Sequence, residues 1–218
     1  MNILKNALLL MFALLWVGSA HASVSPTDNY VKNWNFEETS GAAARPGSGR
    51  MVTLENLASP NWALYDLLPS WTTTGSNGIE VQFNTVATGS GKYVELDTTV
   101  NSNVQQDITG LTSGGQYQLS FSYFNRTGND SSKVQVLFGG IELLRTDWNT
   151  KAWTEISKIF TYTGGSSLLT FAALGNSDGY GGFIDNVSIT SAVPLPGAAI
   201  LFGSGLLGLV GLRRRQIV

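Results

Sequence analysis

The chain has 218 residues, with 13 Lys and Arg against 15 Asp and Glu, 25 glycines, one histidine and no cysteine. Without cysteine there are no disulfides and no thiolate chemistry. The only histidine, His21, falls in a segment expected to be removed, so the remaining chain cannot build a Ser-His-Asp triad or an ordinary structural zinc site. All 15 acidic residues lie between Asp28 and Asp185, facing nine bases over the same span. An acidic body without a basic stripe excludes phosphate-tracking nucleic-acid binding.

Residues 1–22 carry the three parts of a secretory signal peptide. Lys5 supplies the positive charge, Ala7 to Val17 an apolar run, and Ala20-His21-Ala22 a small-x-small cleavage signal. The apolar run is too short to cross a bilayer as a helix. The Sec machinery is therefore an expected partner, and the mature chain is expected to begin at Ser23.

From residue 23 to 192 helical periodicity is scarce and strand-like runs recur between Gly, Asn, Ser and Thr clusters. The runs are Gly91 to Asp97, Tyr117 to Phe124, Lys133 to Phe138, Trp153 to Tyr162, Leu168 to Leu174 and Phe183 to Thr190. Tyr117, Leu119, Phe121 and Tyr123 alternate with Gln118, Ser120 and Ser122, one apolar face against one wet face. Turn signals at Gly114-Gly115, Gly128-Asn129-Asp130, Gly139-Gly140 and Gly164-Gly165 stand at hairpin spacing. The expected fold is all-β: an antiparallel β-sandwich of the jelly-roll kind. Residues 39–50, rich in Gly, Ala and Ser, read as a surface loop.

Three kinds of site are conceivable in this body. Sugar recognition uses an exposed aromatic for stacking beside amides and carboxylates, and Trp62, Tyr65, Trp71, Trp148 and Tyr180 stand in or beside polar stretches. Trp153 opens a strand and is expected in the core. A glycoside hydrolase needs two carboxylates flanking the scissile bond; Glu95 and Asp97, with Glu80 nearby, are the candidates. Gln118, Ser120, Ser122 and Gln135 could line a groove, or form an ordinary solvent face.

Residues 193–218 close the chain with a distinct pattern. Val193-Pro194-Leu195-Pro196 leads into an apolar run to Leu212, 20 residues from Val193, followed by Arg213-Arg214-Arg215. That length makes one bilayer crossing as a transmembrane helix, with the arginines held on the cytoplasmic side. Short motif, apolar stretch and Arg cluster together resemble the PEP-CTERM sorting signal of Gram-negative bacteria, in its Val-Pro-Leu-Pro variant. Leu195 stands where the signal usually has glutamate, and Gly197 where the variant usually has alanine. The resemblance implies an exosortase-type sorting enzyme as partner, transient anchoring in the inner membrane, and association with exopolysaccharide and biofilm at the cell surface or outside the cell.

The body carries a second resemblance. Asn33-Trp34-Asn35-Phe36-Glu37 is similar to the opening of galactose-binding-like jelly rolls, which include many carbohydrate-binding modules. Phe183-Ile184-Asp185-Asn186-Val187-Ser188-Ile189 is similar to their closing strand. The resemblance implies a structural Ca²⁺ held by Glu37 and Asp185 where first and last segments meet. The sequence thus leads to an exported, sorted carbohydrate-binding-like protein that is not an enzyme. A structural matrix protein without a glycan site and a carboxylate-dependent hydrolase stand as alternatives.

Overall fold

A computed structural model describes residues 29–40, 61–75, 77–87, 91–127, 130–146 and 151–192. The signal peptide, residues 41–60, Trp148 and the whole 193–218 tail lie outside the described residues. Among the described residues no helix is long and apolar enough to cross a membrane.

Ten strands are formed: β1 (Asn61–Tyr65), β2 (Ile79–Phe83), β3 (Lys92–Glu95), β4 (Asn103–Asp107), β5 (Gln116–Asn125), β6 (Val134–Phe138), β7 (Ile141–Arg145), β8 (Thr154–Thr161), β9 (Leu168–Ala173) and β10 (Gly182–Ser191). They make two antiparallel sheets, one six-stranded in the order β1-β2-β3-β10-β5-β8 and one four-stranded in the order β4-β9-β6-β7. The expected all-β sandwich is what the chain adopts. Its core is where the inward sides of the alternating strands meet. Leu119 and Phe121 of β5 and Val134 and Val136 of β6 are buried together with Leu169 and Phe171 of β9. Phe121 and Phe171 meet edge to face across the sheets, centroids 5.0 Å apart.

The six strand runs expected from sequence correspond to β3, β5, β6, β8, β9 and β10. β1, β2, β4 and β7 were not among them. β4 (Asn-Val-Gln-Gln-Asp) offers only Val104 as an apolar residue, and β7 is an edge strand whose Ile141 is 68% exposed. Of the four turn signals, only Gly139-Gly140 closes a hairpin, between β6 and β7. The signals after β5 and after β8 each precede a strand of the other sheet, and Gly114-Gly115 likewise follows β4 across to β5. Glycine marks a change of direction, but not which sheet the chain then joins.

Trp71, offered above as an exposed sugar platform, is fully buried. Its ring packs at a tilt against Phe36 and Phe171, centroids 5.1 and 6.4 Å away, and its Nε1–H donates to Asn33 O at 3.0 Å. Tyr65 is buried as well. The opening segment is tied to the final strand: Tyr30 N donates to Ile189 O, Ile189 N to Asn29 Oδ1 and Val187 N to Trp34 O. The two motifs that resemble the opening and the closing of one fold do meet.

β10 is buried on both faces, and a bulge makes this possible. Ile184 points into the main core, as do Val187 and Ile189, so the inward positions change from even to odd. The register shift between Asp185 and Ser188, with Asn186 at φ 51°, supplies the extra residue. Asparagine tolerates that left-handed backbone better than most residues. Phe183 consequently faces outward, into a second cluster with Ala87, Tyr93, Phe124 and the half-buried Trp153. Trp153 therefore packs on the outer side of the larger sheet, away from the main core.

Candidate functional site

The outer face of the six-stranded sheet carries the chemistry. Strand register sets Glu80 of β2 opposite Glu95 of β3, Glu95 opposite Phe183 of β10, and Phe183 opposite Phe124 of β5. One rung along, Trp62 of β1 lies opposite Gln82, and Gln82 opposite Tyr93. Inward neighbours Val81 and Val94 are core residues, and alternation turns Glu80, Gln82 and Glu95 away from that core. These three polar side chains are nevertheless buried, Glu95 at 1% exposure.

The loop preceding β10, Gly175 to Gly181, lies over them, and two carboxylates of the β3 segment hold it. Gly181 N donates to Glu95 Oε1 at 2.9 Å; Asp178 N and Gly179 N donate to Asp97 Oδ2 at 2.9 and 3.1 Å. Asp178 in turn accepts from Ser131 Oγ, 2.7 Å, and from Tyr180 N, 3.2 Å. A side chain at Gly181 would collide with the backbone at Leu96 and Asp97, so only glycine allows this approach. Arg126, just after β5, pairs with Glu95 through Nη1 and donates to Gly179 O at 3.4 Å. Its guanidinium carbon lies 4.8 Å from the centroid of the Tyr180 ring.

Between the loop and the sheet is a cavity of about 300 Å³. Glu80, Gln82, Thr85 and Arg126 supply polar groups, Trp62 and Tyr180 aromatic ones, and Thr98, Asp178 and Gly179 complete the lining. Tyr180 is half-exposed and Trp62 half-buried. Gln82 organises the floor. Its Nε2 donates to Glu80 Oε1 at 2.9 Å and to Glu95 Oε2, while its Oε1 accepts from Thr85 Oγ1. Thr85 Oγ1 also lies 2.9 Å from Tyr93 OH, which accepts from Ala87 N.

Burial pushes the Glu95 carboxyl up to about 9, with the charge of Glu80 adding to the rise and Arg126 opposing it. Burial raises Glu80 too. The two carboxyls stand opposite each other on adjacent strands, both buried, so the pair keeps a proton at neutral pH.

The sequence-derived candidates divide clearly. Trp62 and Tyr180 are brought to one cavity. Trp71 lies in the core, where it offers a ligand no accessible face. Trp148 lies outside the described residues. Glu80, Glu95 and Asp97 stand close together beside the cavity. Gln82 Nε2 donates to both Glu80 and Glu95, and Asp97 is turned to the backbone of the covering loop. Gln118, Ser120 and Ser122 stand on the larger sheet and Gln135 on the smaller, so they do not share a groove. Ser120 instead pairs with Ser188 at 2.8 Å, and Gln135 with Glu142.

Glu37 is exposed; its Oε1 accepts from Lys92 N at 2.7 Å. Asp185 is fully buried, and its Oδ1 accepts from Asn186 N at 2.7 Å. Among the described residues no three His, Cys, Asp or Glu side chains converge as metal ligands.

Arg126, Gln82 and Asp178 were not singled out by sequence reasoning. Arg126 had a signal: in a chain only 13% charged, it directly follows the longest alternating strand.

No family model matches the chain. A multifunctional-autoprocessing repeats-in-toxin protein of Vibrio vulnificus is 32% identical over 97 residues, 44% of this chain. Halomucin of Haloquadratum walsbyi is 24% identical over 197 residues, 88% of this chain. The aligned regions amount to about 2% of the length of either relative. Among solved structures, a family 35 carbohydrate-binding module of Clostridium thermocellum is similar over 62% of this chain and 100% of its own, at 21% identity and TM-score 0.39. The family 61 module TmCBM61, solved with beta-1,4-galactotriose, is similar over 75% of this chain and 99% of its own, at 20% identity and TM-score 0.42.

Proposed function

We propose that this protein is an exported, non-catalytic glycan-binding module whose sugar site is the cavity between Trp62 and Tyr180. One observation carries the reading: two aromatic side chains border a cavity whose floor is a fixed array of hydrogen-bonding groups, Glu80, Gln82 and Arg126. Aromatic faces take the apolar side of a sugar ring, and preset polar groups take its hydroxyls at little ordering cost. A cavity of this volume stands at the lower end of small-molecule sites, about 300–1,000 Å³, and suits one or two rings. A galactose-binding-like jelly roll is part of the same proposal, supported by the meeting of the opening and closing motifs.

A glycan array probed with the full-length protein tests it. Trp62→Ala and Tyr180→Ala should each weaken binding about tenfold, a loss of about 1.4 kcal/mol, with little change in melting temperature. A silent array, or binding untouched by both substitutions, would overturn the reading and leave a structural surface or matrix role.

Two further proposals stand apart from that site. The order of motif, apolar stretch and arginines in residues 193–218 supports exosortase sorting after Sec export, with transient inner-membrane anchoring, delivery to the cell surface or medium, and association with exopolysaccharide. A structural Ca²⁺ at Glu37 and Asp185 is supported by hard oxygen donors on the opening segment and on the bulge of β10, where those two segments run together. Chelator should lower the melting temperature and calcium restore it; no shift with either removes the ion.

A further inference from the structure

The cavity is more acidic than a neutral sugar requires. Glu80, Glu95, Asp97 and Asp178 line it or stand directly behind its lining, against one base among the described residues, Arg126. That base is already engaged by Glu95, by Gly179 O and by the Tyr180 ring. Glu80 and Glu95 face each other across adjacent strands and are both buried, so the pair holds a proton in place of a second negative charge. Two further oxygens have no hydrogen-bond partner among the described residues: Thr98 Oγ1, on a residue of the lining, and Oδ1 of the fully buried Asp97. Asp97's other oxygen holds the Asp178–Gly179 wall. Such a lining is complementary to a cation.

Building on the glycan reading, we propose that the cavity binds the ammonium group of a non-acetylated amino sugar, seated on Glu80 with its ring between Trp62 and Tyr180. An ammonium brings one positive charge and donors only, the complement of a floor rich in acceptors. A metal ion suits the cavity less well. No three carboxylates converge as ligands among the described residues, Arg126 already occupies Glu95, and aromatic walls attract organic cations through their faces. A carboxylated or sulfated sugar would meet Glu80 and Asp178.

Binding is linked to a proton. In the free protein Glu80 and Glu95 hold one proton between them, surrounded by Arg126, Asp97, Asp178 and the Tyr93 hydroxyl. When the ammonium pairs with Glu80, the carboxyl O–H bond of the pair breaks, the proton leaves to solvent, and the ammonium keeps its three hydrogens.

The test is titration calorimetry on the full-length protein at mildly acidic pH, where the amine is an ammonium, in two buffers of different ionisation enthalpy. The probes are glucosamine oligomers, their N-acetylated counterparts, cello-oligosaccharides, oligogalacturonate and calcium chloride alone. A charge-assisted contact should give the glucosamine oligomer roughly tenfold or greater preference over its acetylated form, with a buffer-dependent enthalpy that reports proton release. Glu80→Gln should erase both the preference and the proton release, its melting curve verifying the fold. Equal binding of acetylated, neutral and amino sugars overturns the amine inference and leaves the glycan reading standing. Failure of every sugar to bind removes both. A Glu80-dependent signal from calcium alone assigns a metal instead and overturns the inference.

Discussion

Replacing Glu95 by glutamine tests the electrostatics of the site directly. Glutamine has the shape of a protonated glutamate: its oxygen can accept from Gly181 N and Arg126, and its amide can donate toward Glu80 once the Gln82 amide turns to Glu80 alone. In the wild type the Glu95 carboxyl is raised from its ordinary value of 4.5 to about 9, chiefly by burial. Below about pH 4.5 both folded and unfolded chains hold this proton, and the group is neutral to stability. Above that, the unfolded chain loses the proton while the folded chain keeps it, so stability falls by about 1.4 kcal/mol per pH unit until the folded carboxyl also ionises. Between about pH 5 and about pH 8 the wild type should therefore lose on the order of 4 kcal/mol, a large fraction of a typical folding free energy. Urea unfolding at the two pH values measures it, and Glu95→Gln should abolish most of the slope while matching or exceeding wild-type stability at the higher pH. The reasoning is refuted if the wild type is equally stable at both values and the glutamine variant loses about 3 kcal/mol or more, the cost of breaking a buried ion pair. Glu95 would then be ionised in the fold and held by Arg126.

Other expectations follow from the same structure. Trp71→Ala removes a fully buried ring and one of the two hydrogen bonds that Asn33 O accepts, and should cost about 3–5 kcal/mol in denaturant unfolding; unchanged stability would contradict its place in the core. Gly181→Ala should dislodge the loop from Glu95 and Asp97, seen as faster amide exchange at Asp178, Gly179 and Gly181, while protection in β5 and β9 persists. Unaltered exchange would show that the carboxylates do not pin the loop. Intact mass of protein recovered from its native host should end near Val193 to Pro196, and substituting Arg213, Arg214 and Arg215 by alanine should leave the tail in place; a wild-type mass running through Val218 would reject sorting cleavage.

The sequence by itself determined the all-β sandwich and the inward face of its clearest strands. Strict alternation in Tyr117 to Tyr123 and in Val134 to Phe138 leaves only one way to bury those side chains, with two sheets packed face to face. It also brought Tyr180 and Trp62 forward, since aromatics in polar surroundings are visible without coordinates. What it could not convey is anything that depends on pairing across long separations. Trp71 also stands beside polar residues, yet Phe36 and Phe171, far away in sequence, enclose it. Glu80 and Glu95 read as surface carboxylates on two separate strands. Antiparallel pairing of β2 with β3 sets them opposite each other, and a loop about 85 residues further on shields them from water. Local pattern dictates which side of a strand a residue occupies. Whether that side meets solvent, a core or a covering loop depends on which distant segment packs there, and only the tertiary structure decides that.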